Sequence, residues 1–177
     1  GRVVKATSPD DAVSLYEAIA LAQPGGLGKW TQLDVTDARS RKEILDKQVS
    51  LFDVFRISAP WDSISREWVT NYHVTFDIGY PYLLKELDVS KDINKATVHT
   101  YLKILSEVPD TLIQRKVGVT KSKRVSSQAK HILKIGGLNT SQGRRRLREL
   151  DHKLHDASHK LNPGTTADLT SAVLAVA

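Results

Sequence analysis

Three segments carry residue types that could act on a phosphate-bearing substrate. The first, Asn162-Pro163-Gly164-Thr165-Thr166-Ala167-Asp168-Leu169, runs into an apolar stretch that ends at Ala177. Pro-Gly punctuates the backbone and two threonines offer capping hydroxyls, which predicts a helix starting at about Ala167. The first N–H groups of such a helix are unpaired and its dipole is positive there, so it could seat an anion. A plainly capped helix would read the same way. The second segment, Asp110-Thr111-Leu112-Ile113-Gln114-Arg115-Lys116-Val117-Gly118, sets two adjacent cations after an acid–hydroxyl pair. One helical turn puts Asp110 and Gln114 on a shared face, with Arg115 beside them. The third, Trp61-Asp62-Ser63-Ile64-Ser65-Arg66-Glu67-Trp68, holds two carboxylates on a helix predicted to continue through Tyr72 to Gly79. Five residues apart on a helix, Asp62 and Glu67 diverge by about 140°, so they do not converge on one atom.

Each segment has a structural reading beside the chemical one. Asp62 follows Pro60 and suits a first-turn acid as well as a catalytic one, whereas a buried Glu67 would have no such structural role. Arg115 and Lys116 suit a solvated edge or a phosphate contact. Asp168 early in its helix favours the dipole but repels phosphate, unless a cation stands between them. Mg²⁺ binds through one or two carboxylates plus substrate phosphates, and Asp110 and Asp168 are its candidate ligands. His152, His155 and His159 fall at i, i+3 and i+7 beside Asp151 and Asp156, without the glutamate of an H-E-x-x-H pattern. They read as exposed imidazoles on a long helix. The Arg144-Arg145-Arg146-Leu147-Arg148 run lacks interleaved aromatics, which argues against a nucleic-acid partner and leaves a solvated helix start or a seat for ligand phosphates. Gln23-Pro24-Gly25-Gly26-Leu27-Gly28 follows a helix and has no Gly-Lys-Ser/Thr, so it is a connector and no P-loop.

Together and in this order, the segments resemble the triphosphoribosyl-dephospho-CoA synthase family, which makes the precursor of the citrate lyase and malonate decarboxylase prosthetic group. The matching pieces are Asp62 to Pro81, with an acid, an aromatic and a Gly-Tyr-Pro tail; Asp110 to Gly118; Gly136-Gly137 ahead of a basic helix; and the terminal N-P-G-T-T-A-D. The resemblance implies a transferase that joins the triphosphoribosyl group of ATP to a ribose hydroxyl of dephospho-CoA, or a related alcohol, and releases adenine. It implies Arg115, Lys116, Thr111, Asn162, Gly164, Thr165 and Thr166 as substrate-binding residues. Asp110 and Asp168 would hold Mg²⁺, and Glu67 with Asp62 would be the catalytic carboxylates. Family members also carry an N-terminal lysine-proline-glycine loop and a glycine-rich segment with an Asn-Thr pair, neither found here. With Gly1 first and no methionine in the chain, residues 1–177 are expected to be one helical domain, the C-terminal part of a longer enzyme. Without the missing N-terminal part it would be inactive alone. The reading from a different class is a non-catalytic helical module that holds a nucleotide or an acidic partner through its basic half.

The elements that must position these residues follow from composition and pattern. With 177 residues, 40% of them hydrophobic and 26% charged, the chain can bury a core. It has no apolar run long enough for a membrane span and no signal-peptide pattern. The absence of cysteine excludes disulfides, thiolate metal sites and a cysteine nucleophile. These features together predict a cytoplasmic protein. The net charge of +6 is uneven: residues 103–160 hold 14 Lys/Arg against 5 Asp/Glu, whereas residues 1–102 hold 12 against 14. Such a field attracts nucleotides and other polyanions. Ser8-Pro9-Asp10-Asp11 opens a helix. Further helices are predicted over 38–57, from Asp62, from Pro81 to Leu87, after Asp92, from Ser126 to Ile135, from Thr140 to about Lys160, and from Ala167. No period-2 alternation is sustained, so the expected fold is all-α, a multi-helix bundle with short loops and no substantial sheet.

Overall fold

The computed structural model describes residues 2–25, 27–155 and 160–177. It is all-α, with eleven α-helices and no strand among the described residues. The helices fall into two compact units, Gly1–Asn71 and Tyr72–Ala177.

In the first unit, α1 is Arg2–Lys5, α2 Pro9–Ala22, α3 Ala38–Asp46, α4 Leu51–Ser58 and α5 Ser63–Val69. The predicted start of α2 is a full capping box. Asp11 N donates to Ser8 Oγ at 3.2 Å and Ser8 N to Asp11 Oδ2 at 2.7 Å. The helix predicted over 38–57 is instead two helices. Gln48 takes a left-handed φ of 53° and Ser50 caps a new start, its Oγ accepting from Asp53 N. The helix predicted to run from Asp62 to Gly79 is also broken, by left-handed Asn71 and Tyr72. Helical periodicity continues across both breaks, which is why a pattern of apolar positions does not reveal them. Ala12, Tyr16, Leu33, Ile44 and Val54 form the core of this unit.

The Tyr16 hydroxyl donates to Leu33 O at 2.6 Å inside that core. Burial, aided by the Asp34 and Glu43 carboxylates, pushes it up to about 12. The unfolded chain would release this proton near 10.0, so between pH 10 and about 12 the native state holds more protons and stability must fall as pH rises. Denaturant unfolding across pH 8–12 is expected to show that decline. Tyr16→Phe should cost about 1 kcal/mol at pH 8 and decline less steeply. Parallel declines would mean that Tyr16 titrates at its ordinary value.

The second unit opens with a π-helical segment, Val74–Gly79, in which Tyr80 N donates to Thr75 O. It leads directly into α6, Tyr80–Ser90, with Pro81 in the first turn. A proline ring clashes with the carbonyl four residues back, and the wider π turn before Pro81 relieves that clash. Next come α7 (Ile93–Glu107), α8 (Thr111–Val117), α9 (Val119–Lys134), a 3₁₀ turn at Gly137–Asn139, α10 (Ser141–Leu154) and α11 (Gly164–Val176). Asp92 caps α7 and Thr140 caps α10, as their positions predict. The central helix is α7, which packs against α6, α9 and α11. The core contains Leu102, Leu105, Ile113, Val125, Ile132 and Leu150. Helix α10 ends at Leu154, short of the predicted Lys160, and residues 156–159 lie outside the described set. No helix among the described residues is long and apolar enough to cross a membrane.

Candidate functional site

The Asp110 and Asn162 segments meet at one buried carboxylate. Asp110 is 1% exposed and caps α8, its Oδ1 accepting from Ile113 N at 3.0 Å. Its Oδ2 accepts from Thr166 N at 2.7 Å and from the Thr166 hydroxyl at 2.8 Å. One carboxylate therefore terminates two helices, the second from 56 residues away. Thr111 and Thr165 add a second tie, with hydroxyls 3.2 Å apart and Leu112 N donating to Thr165 Oγ1. The Ser122 hydroxyl, on α9, donates to the Asp110 carbonyl at 2.9 Å.

This arrangement corrects the predicted start of the last helix. It begins at Gly164, three residues before Ala167, with Pro163 as a cap residue that makes no side-chain hydrogen bond. Thr165 and Thr166 lie inside its first turn, buried at 3% and 1% exposure. Asp110 supplies the missing cap. The positive end of α11 does attract an anion, and that anion is the protein's own carboxylate. Gly164 permits the close approach, since a Cβ there would stand 2.7 Å from Leu112 Cδ2.

The other predicted residues sit around this junction or in the first unit. Arg115 is half-buried and Lys116 exposed, both in the last turn of α8; Asp168 is exposed on α11, and Asn162 is exposed just before it. Asp62 is the cap of α5, accepting from Ser65 N at 2.9 Å and the Ser65 hydroxyl at 2.8 Å. That is one step outside the first-turn place predicted for it. Glu67, on α5, is 3% exposed. His152 and His155 are exposed, and helix α10 stops before His155, while His159 and Asp156 lie outside the described residues. No group of three or more His, Cys, Asp or Glu that could hold a metal ion occurs among the described residues.

Two features escape a reading of the sequence. His99 on α7 is 3% exposed, with Nδ1 2.6 Å from Glu86 Oε2 and Nε2 accepting from Leu138 N at 2.9 Å. A backbone N–H can only donate, so the ring proton sits on Nδ1 and points at Glu86. The same carboxylate hydrogen-bonds Tyr82, and burial together with that charge pushes the Tyr82 hydroxyl up to about 12. Gly137, at φ 52°, must stay small because a Cβ would stand 2.5 Å from His99 Nε2. The only local sign was Gly136-Gly137, which reads as a helix stop. The second feature is a cleft of about 570 Å³ between α7, α10 and α11, with Tyr101, Leu147, Leu154 and Leu174 in its lining and Arg148 at its edge. Burial, with the Asp110 and Asp151 carboxylates adding, pushes the Tyr101 hydroxyl up, so it stays protonated and able to donate.

Comparison with known proteins identifies the family. The family model for ATP:dephospho-CoA triphosphoribosyl transferase matches residues 1–177, and the chain belongs to that family. Two curated relatives named probable 2-(5''-triphosphoribosyl)-3'-dephosphocoenzyme-A synthase are each 32% identical over 96 residues, or 54% of this chain. They come from Stutzerimonas stutzeri and Pseudomonas paraeruginosa. The matched stretch is 32% of each relative, so the chain spans about a third of their length. A crystal structure carrying the triphosphoribosyl-dephospho-CoA synthase name, from Archaeoglobus fulgidus, aligns with a TM-score of 0.74 at 26% identity. That alignment covers 98% of this chain and 67% of the other.

Proposed function

We propose that the chain serves a triphosphoribosyl transfer from ATP to a ribose hydroxyl of dephospho-CoA. The observation that carries this reading is the Asp110–Thr166 tie, which joins two of the segments that carry the family resemblance at one point of the second unit. The tie sets the end of α8, with Arg115 and Lys116, and the early turns of α11, with Asp168, into a common framework. The C1′–N9 bond of ATP breaks, a C1′–O bond forms to the acceptor, the hydroxyl proton passes to a base, and adenine leaves with a proton. Positive charge builds on the ribose ring as adenine departs, so the protein must hold the triphosphate firmly and keep a carboxylate for the hydroxyl.

Arg115 and Lys116 suit the triphosphate, Arg115 by forking onto phosphate oxygens as lysine cannot. Asn162, at the exposed approach to α11, is a second polar contact. The buried Thr111, Thr165 and Thr166 act on substrate indirectly, by fixing the helix ends. In the first unit, Glu67 is a buried carboxylate suited to taking a hydroxyl proton, and Asp62 positions α5, which carries it. Three donors on a 1% exposed Asp110 fit a structural carboxylate better than a metal ligand, so Asp168 is the residue suited to a hydrated Mg²⁺. Bound there, Mg²⁺ would offset the repulsion between Asp168 and phosphate. A cytoplasmic setting, where ATP and CoA precursors are available, belongs to the same reading.

The test uses the natural protein carrying this sequence, incubated with ATP, Mg²⁺ and dephospho-CoA. Free adenine should appear in step with a product heavier by the triphosphoribosyl group. Arg115→Lys should raise the KM for ATP roughly tenfold with an unchanged melting temperature. No adenine from any combination of substrates would leave the chain as a binding module.

A further inference from the structure

We propose that the cleft between α7, α10 and α11 holds the long, amide-bearing arm of the acceptor, with the acceptor's phosphates toward Arg148. The inference rests on the transferase reading, because that reading makes the acceptor a nucleotide with such an arm. Dephospho-CoA joins an adenosine and a diphosphate to a flexible chain of methylenes and amides that ends in a thiol. Nothing in the motif residues described above would recognise that chain. They are cations, carboxylates, buried threonines and the exposed Asn162, with no apolar wall for methylenes.

The cleft has the matching chemistry. Its volume of about 570 Å³ lies within the range that holds an elongated small molecule. Val98, Leu147, Leu154 and Leu174 give it apolar walls suited to methylenes. Thr97, Tyr101 and Ser171 are hydroxyl-bearing residues of the same lining, and the Ser171 hydroxyl, which donates to Ala167 O at 3.0 Å, keeps oxygen lone pairs that an amide N–H can meet. Helix α11 is apolar on two sides. Leu169 and Val173 are buried at 2% and 0% exposure, while Leu174 in the cleft wall is left 39% exposed. At the edge, Asp151 and His155 pair with each other at 3.1 Å. Arg148 beside them supplies a cation for a diphosphate. The cleft is also continuous with the motif junction, since Pro163 and Ala167 of the N-P-G-T-T-A-D segment line it.

The test is a cleft-filling substitution, Ser171→Trp, at an exposed position of α11, with a melting curve to establish that the variant folds. The KM for dephospho-CoA should rise about tenfold or more while the KM for ATP stays within about twofold. Arg148→Gln should weaken dephospho-CoA and leave binding of pantetheine, which lacks phosphate, unchanged. An unchanged KM for dephospho-CoA in a folded Ser171→Trp variant would overturn the proposal. So would a changed monomer–dimer balance with KM unaltered, which would show that a second copy covers the cleft. If the wild-type protein turns over no substrate, the transferase reading fails by itself. The cleft is then judged by calorimetry with dephospho-CoA and pantetheine: binding lost in Ser171→Trp supports it, and binding equal or absent in both proteins overturns it.

Discussion

Asp110→Ala should destabilise the second unit by about 3–5 kcal/mol, the largest stability loss expected from one substitution in this chain. Removing the carboxylate strands Ile113 N, Thr166 N and the Thr166 hydroxyl in a region where Asp110 is 1% exposed and Thr166 likewise. It also removes the negative charge from the positive ends of two helices at once. A melting temperature lower by roughly 10 °C would follow for a chain of this size. Thr166→Val, which loses the hydroxyl bond but keeps the backbone one, should cost only about 1 kcal/mol. Thermal or urea unfolding measures both. If Asp110→Ala melts with the wild type and loses only its response to Mg²⁺, the carboxylate faces a metal and the tie between helices is incidental.

The largest effect on catalysis is expected at Glu67. Glu67→Gln should lower kcat about 10²–10³-fold, the range of a lost general base, with the KM for ATP changed no more than about twofold. Its 3% exposure matters here. Glutamine preserves the shape of this buried side chain while abolishing its basicity. The measurement is steady-state adenine release alongside a melting curve. A melting temperature that falls sharply, with the remaining folded enzyme fully active, would make Glu67 a structural residue. Asp62→Asn should have a much smaller effect on kcat, because Asp62 works through Ser65 and the start of α5.

Much of the local structure was legible because it is written in neighbouring residues. Ser8-Pro9-Asp10-Asp11 specifies a capping box, Asp92 and Thr140 specify caps, and 3.6-residue spacing without alternation specifies an all-α chain. The motif residues could be selected because their types and order match a family. Which chemistry each could perform was open, since a helix start that can bind phosphate and one that is merely capped have the same local pattern. The breaks at Gln48 and at Asn71-Tyr72 were not legible, because nothing in those side chains demands a left-handed backbone.

The sequence by itself determined the helices, the charge asymmetry and the segments to which chemistry could belong. Tertiary structure alone decided what occupies the positive end of α11. Asp110 and Thr166 are 56 residues apart, and hydrogen bonds of 2.7 and 2.8 Å between them depend on α8 and α11 starting at the same buried point. It likewise decided that His99 would face Glu86 on one side and Leu138 N on the other, and that α7, α10 and α11 would leave a cleft between them. Capping and periodicity act over a turn or two of chain. Burial and long-range hydrogen bonds act between residues that only packing brings together, and no local pattern encodes which of them will meet.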